Sequence, residues 1–132
     1  MIIIPIPYTD YNGVQRNEKH MFNLNRAEMA EMELTTAGGM NETIKAVIEA
    51  QDTTALVKIF KDLILKSYGV KTPDGKRFAK SHELSTEFSQ TEAYSKLFME
   101  LATNTEAAST FVNGIISDDV TTKTFFKSAA TD

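Results

Sequence analysis

The chain has 132 residues, 42% hydrophobic and 24% charged, with a net charge of -4 and no cysteine. That is enough chain for one domain with a real core, in an ordinary globular composition with no disulfide frame and no thiolate chemistry. The acidic balance argues against a sequence-independent nucleic-acid binder, which needs a basic field to displace counterions from phosphates.

Residues 2–24 read as a β-hairpin. Ile2, Ile4, Ile6 and Tyr8 alternate with Ile3, Pro5, Pro7 and Thr9. Asn12-Gly13 suits the positive φ angles of a two-residue type I′ turn, which would pair Tyr11 with Val14 and Thr9 with Arg16. Pro5 and Pro7 lie two apart and direct their missing N–H groups the same way, which makes the first strand an edge or marks its early part as irregular. A lone hairpin is marginal in water, so it must lie on the helices or pair with another chain.

Asn25 and Glu28 form an N-x-x-E capping box for a helix that ends at Gly38-Gly39. Asn41 caps a second helix carrying Ile44, Val47 and Ile48. Over Thr54–Tyr68, Leu56, Ile59, Phe60, Leu63 and Ile64 recur at i, i+3, i+4, i+7 and i+8, one face of a helix. Val57, Leu65 and Tyr68 widen that face. This is the expected central helix, with Gly69 as its left-handed cap. Pro73-Asp74-Gly75 is a turn between Val70 and Phe78. Ser81 caps a short helix holding Leu84 and Phe88. Ser89 and Glu92 make another capping box, for a helix with Ala93, Tyr94, Leu97, Phe98 and Leu101. A last helix from Thr105 carries Ala107, Ala108, Phe111, Val112 and Ile115, and its regular part ends at Asn113-Gly114. From Ser117 the chain is polar, with one apolar pair, Phe125-Phe126, and a disordered C-terminal tail is expected. The expected fold is mostly α. An N-terminal β-hairpin (2–24) precedes a compact bundle of about five or six helices (25–116), in a single domain over 1–116 with a flexible tail over 117–132.

The usual catalytic constellations are missing. His20 and His82 are the only histidines, too few without cysteine for a His/Cys metal site. No HExxH, DxDxDG, GxSxG or glycine-rich phosphate loop occurs. Glu28, Glu31 and Glu33 share one short helix, where acids near the start complement the helix dipole. A binding or assembly protein, with no enzymatic activity and no cofactor, is therefore expected. No apolar run reaches the roughly 20 residues that span a bilayer, and the start lacks a basic leader segment, so no membrane association is expected. Three features suit binding: the hairpin edge, the adaptable methionines Met21, Met29, Met32, Met40 and Met99, and the Phe125-Phe126 pair. Met29, Met32, Phe125 and Phe126 are the candidate partner-binding residues.

Five stretches carry a family resemblance: YTDYNGV at 8–14, FNLNRAEMAEMEL at 22–34, ILKSYGVKTPDGKRFAKS at 64–81, EFSQTEAYSKLFMELAT at 87–103 and FVNGII at 111–116. Together, over residues 8–116, the chain resembles the tail assembly chaperones of long-tailed, siphovirus-like phages and prophages of Gram-positive bacteria. The resemblance implies a non-structural protein of the host bacterial cytoplasm. Such a protein binds the tape measure protein, keeps it soluble, helps tail tube subunits polymerise around it and is absent from the mature virion. It implies the tape measure protein as partner, and the tail tube protein through a longer frameshifted form or the C-terminal tail. Physically, a long client with bare apolar helical faces would aggregate, and a small acidic protein covering those faces would add soluble charge. Many copies on one client make weak self-association, forming a homo-oligomer, an expectation. Thr124-Phe125-Phe126 can be spelled as a slippery codon run, the expected place for a frameshift. The alternative reading is a permanent structural connector or completion protein of the virion. A small helical DNA-binding protein fits less well, because the lysines of the central stretch flank a broad apolar face; no nucleic-acid partner is expected.

Overall fold

The computed structural model describes residues 1–35, 38–50, 52–117 and 119–126. Strands β1 (Ile2–Thr9) and β2 (Gln15–Phe22) are followed by helices α1 (Arg26–Thr35), α2 (Met40–Ala50) and α3 (Thr53–Ser67). Then come β3 (Tyr68–Lys71), β4 (Phe78–Ala79), α4 (His82–Ser89), α5 (Glu92–Thr103), α6 (Thr105–Ile116) and β5 (Thr121–Thr122). The strands form one five-stranded sheet in the order β4-β3-β2-β1-β5. β5 runs parallel to β1, and the other neighbours are antiparallel. The fold is thus α/β, a mixed sheet packed on helices, which corrects the expected mostly-α bundle.

Two segments make that difference. The first is Tyr68–Lys71. Gly69 does not cap α3; Tyr68 at the helix end is already extended (φ -65°, ψ 138°), and the chain passes straight into β3. Gly69 is required for another reason. The Phe78 ring and the Ala79 carbonyl lie over it, so a Cβ there would meet Phe78 Cε2 at 2.6 Å and Ala79 O at 2.8 Å. The second is the C-terminal segment expected to be a disordered tail. Its residues 119–126 are placed: Thr121 N–H donates to Met1 O (3.2 Å), Lys123 N–H donates to Ile3 O (2.9 Å), and Phe125 and Phe126 pack on the core. Residues 127–132 of that expected tail lie outside the described residues.

The hairpin is present but its turn is wider than two residues. The register pairs Thr9 with Gln15 and Tyr8 with Arg16, leaving 10–14 as the loop. Asp10 is the cause. Its Oδ1 accepts the Asn12 and Val14 N–H groups, each at 2.9 Å, and its Oδ2 accepts from Arg16 Nε at 2.6 Å. One carboxylate thereby satisfies donors that a tighter turn would pair across the strands.

Helix ends agree with the sequence signals in some places and are displaced in others. The Asn25–Glu28 box closes reciprocally, with Glu28 N–H to Asn25 Oδ1 at 2.8 Å and Asn25 N–H to Glu28 Oε1 at 3.1 Å. Asp52 caps α3 and Ser81 caps α4. The cap of α5 is Thr91, whose hydroxyl accepts from Tyr94 N–H, while Ser89 stays inside α4 and donates to Thr86 O. α2 begins at Met40, so Asn41 lies within the helix; the apolar face expected from Ile44, Val47 and Ile48 lies outside the described side chains. Asn113-Gly114 does not end α6. Gly114 sits inside it because β1 passes close: a Cβ would meet Ile2 Cδ1 at 2.7 Å.

The core lies between one face of the sheet and the helices. Ile2, Ile4 and Ile6 of β1 and Phe22 of β2 are fully buried. They meet Phe60, Leu63 and Ile64 of α3, Leu97 and Leu101 of α5, and Phe111 and Ile115 of α6. Burying each such side chain is worth about 1.5–3 kcal/mol. The stripe foreseen on the central helix is the one that faces inward, although Val57 is left 38% exposed. Aromatic rings tie the layers: Phe22 meets Phe111 edge-on at 5.4 Å, and Tyr68 stacks on Phe88 at 4.3 Å.

Candidate partner-binding site

Between the hairpin and α5 lies a groove of about 850 Å³. Tyr8 and Arg16 line it from the hairpin, Lys96, Met99 and Thr103 from α5, and Phe126 also lines it. The wall from α5 arises from helical spacing. Lys96, Met99, Glu100 and Thr103 stand at i, i+3, i+4 and i+7, beside the buried stripe of Ala93, Leu97 and Leu101. Met99 is 55% exposed there, a large apolar side chain on the outward face of its helix.

Three contacts set the position of the wall and the loop. Lys96 Nζ donates to Pro7 O at 2.5 Å and lies 5.6 Å from the centre of the Phe126 ring. The Tyr11 hydroxyl at the loop tip bonds to Glu92 at the start of α5, which raises the phenol above its ordinary value, although the residue is 77% exposed. The Tyr8 hydroxyl donates to Glu18, and burial together with that bond pushes its pKa up to about 12. Asp10 is held below its ordinary value, first by the Arg16 guanidinium and then by the Val14 N–H. Behind the groove His20 sits among the rings of Tyr8, Tyr68 and Phe88, and burial lowers its pKa. Its neutral form therefore dominates near neutral pH.

The C-terminal segment is anchored at this groove by chemistry that Pro5 and Pro7 dictate. The Met1 and Ile3 carbonyls both accept from the β5 side, so odd-numbered residues of β1 turn their backbone groups outward. Pro5 and Pro7 supply no N–H to that edge, and the Pro7 carbonyl is taken by Lys96. The ladder stops after Thr122. Beyond it the strap is held by rings: Phe125 and Phe126 pack against the core, Phe125 lining a hollow with Glu100, Asn104 and Thr110, and Phe126 lining the groove.

The four residues singled out from sequence fall in two places. Phe125 and Phe126 lie together, half-buried, on α5 and α6 with Phe126 in the groove. Met32 is 7% exposed and belongs to the core, and Met29 packs half-buried against it from α1; neither lines the groove. The sequence reading did not single out Tyr8, Tyr11 or Lys96, and it weighed Met99 only as part of the methionine content. The signal for Met99 was there, an apolar residue on the charged face of its helix. Among the described residues no group of three or more His, Cys, Asp or Glu is arranged to hold a metal ion. No described helix is long and apolar enough to cross a membrane.

An acidic α/β protein with an open amphipathic groove and a ring-anchored C-terminal strap has the equipment of a binding protein. A family model described as phage tail assembly chaperone matches residues 1–131. The chain belongs to the phage tail assembly chaperone family. The match extends beyond the resemblance read over 8–116 and takes in β1 and the strap. No curated protein and no solved structure matches the chain.

Proposed function

We propose that this chain binds the tape measure protein of a long-tailed phage of a Gram-positive host, keeps it soluble in the bacterial cytoplasm and helps tail tube subunits assemble around it. It acts by covering apolar helical faces and performs no catalysis. It leaves before the tail is complete and is absent from the mature virion. The tail tube protein is engaged by the C-terminal segment or by a longer frameshifted form. The observation that carries this reading is family membership over 1–131. The groove adds a physical means. Tyr8, Met99 and Phe126 offer apolar surface, and Arg16, Lys96 and Glu100 flank it with both signs of charge, the arrangement that receives an amphipathic helix.

Co-expression with the tape measure protein of the same gene cluster tests the reading. The expected result is a soluble tape measure protein that co-purifies with several copies of this chain, and virions whose mass spectra lack it. A tape measure protein left insoluble, with this chain present in purified virions, contradicts it and supports a structural connector instead.

A further inference from the structure

Three parts of the chain line the groove, and they are held with unequal strength. The hairpin is fixed by eight β1–β2 pairs. α5 is fixed by Ala93, Leu97 and Leu101, which are buried in the core. The strap is the third part. Among the described residues it pairs with β1 at two positions, Ile2 with Thr121 and Ile3 with Thr122. Its Thr121 N–H donates to Met1 O at 3.2 Å and its Lys123 N–H to Ile3 O at 2.9 Å. The ladder cannot lengthen. In this parallel register the next donors of β1 toward the strap would be residues 5 and 7, and both are prolines. Holding the end of the strap is left to Phe125 and Phe126, which meet edge-on with ring centres 6.4 Å apart.

The two rings do different things. Phe126 lines the groove, Phe125 lines the neighbouring hollow, and Glu100 of α5 borders both. Lys96 joins the three parts at one point. It stands on α5, its Nζ donates to Pro7 O of β1 at 2.5 Å, and the same Nζ lies 5.6 Å from the centre of the Phe126 ring. An ammonium within about 6 Å of a ring centre is attracted by the ring's negative face. Among the described residues that line the groove, Pro7, Tyr8, Met99 and Phe126 are the apolar or aromatic ones, and Phe126 is the strap's only contribution. Lifting the strap therefore removes the groove's one phenylalanine and takes the ring away from Lys96. A more polar surface is left behind.

We propose that the strap is a clasp on this groove: docked, it completes the seat and holds the segment bound there, and undocked, it lets that segment go. This clasp deepens the proposed function and rests on that reading, with an amphipathic client helix lying in the groove. The coupling is reciprocal. A client that packs on Phe126 favours the docked strap by the same factor by which docking favours the client. A partner that draws the strap away from β1 loosens the client, so release needs no unfolding of the body.

Substitutions that act on the strap from outside the groove test this. Phe125→Ala removes the ring in the neighbouring hollow, and Thr121→Pro removes the N–H given to Met1 O. Pro5→Val acts in the opposite sense, by giving β1 a donor toward the Lys123 carbonyl. None of the three positions lines the groove. In the free chain, Phe125→Ala and Thr121→Pro are expected to speed amide exchange at Lys123. Both are also expected to shift the NMR signals of the Lys96 ε-methylene as the Phe126 ring leaves it. Adding Pro5→Val to Phe125→Ala reverses both changes.

The second arm uses the tape measure protein of the same gene cluster, co-expressed with this chain and captured through a tag. A chain whose strap is docked about one tenth of the time holds a client about tenfold less well, most of it as faster dissociation. Phe125→Ala and Thr121→Pro are expected to leave the captured protein about tenfold faster than wild type. Pro5→Val is expected to restore most of the hold that Phe125→Ala loses. Dissociation unchanged by both strap variants, or slowed by them as a plug would require, overturns the proposal. So does a loss that Pro5→Val fails to restore, since Phe125 then acts by touching the client itself. If the wild-type chain is not retained at all, the client reading fails and the free chain alone decides. Lys96 signals that stay in place while Lys123 exchanges faster then overturn the clasp, and signals that move with the strap uphold it.

Discussion

Along one edge of β1 all eight residues pair with β2; along the other only Ile2 and Ile3 pair, with β5. The strand and its sequence are the same on both sides, so the difference comes from which way the backbone groups point. Even-numbered residues send N–H and C=O to β2 and their side chains Ile2, Ile4 and Ile6 into the core. Odd-numbered residues face the other edge, and two of them are prolines. Continuous pairing gives one edge to the stable body of the fold. Interrupted pairing leaves the other to a strap held by two short hydrogen-bonded steps and two aromatic rings. The candidate groove sits where the interrupted edge meets α5.

Breaking the stable side produces the largest effect. Phe111→Ala removes a fully buried ring in edge-on contact with Phe22, and urea unfolding is expected to show a loss of about 3–5 kcal/mol. Gly114→Ala comes next. The added methyl forces Ile2 out of its place between α6 and the sheet, and calorimetry is expected to show about 1–3 kcal/mol of destabilisation.

The weak side can be strengthened. Pro5→Val restores an N–H directed at the outer edge, within reach of the Lys123 carbonyl by the parallel register. Global stability is expected to rise by about 0.5–1.5 kcal/mol, with slower amide exchange at Thr121 and Lys123. The smallest effect concerns the hairpin loop. The Asp10 carboxyl titrates below its ordinary value of 3.8, so its contribution is present above that value and is lost as pH falls through the lowered one. The amide signals of Asn12 and Val14 are expected to titrate together below pH 3.8, and Asp10→Asn to abolish that step.

The local grammar of the chain was legible where a single segment determines the outcome. Asn25 and Glu28 close a capping box from neighbouring side chains alone, and the α3 stripe needs only helical periodicity. It failed where a distant residue decides. Gly69 and Gly114 read as helix ends, yet each is glycine because another strand passes over it, Phe78 and Ala79 in one case and Ile2 in the other. The five-stranded sheet was hidden for the same reason: β3 to β5 are four, two and two residues long, too short for a period-two pattern, and exist through partners far along the chain. Of the groove, the Phe125–Phe126 pair was visible as an apolar island in a polar segment. Tyr8, Tyr11 and Lys96 converge only once the hairpin folds back on α5.

The proposed seat of a client in the groove is open to a direct test. Amide hydrogen exchange on the chain, alone and mixed with the proposed client, the tape measure protein, reads every segment at once. A client seated in the groove gives new protection in loop 10–14, in α5 over Glu92–Thr103 and along the strap at 121–126, with α2 and α3 unchanged. Protection that appears on α2 and α3 while the loop, α5 and the strap exchange as in the free chain would contradict that placement.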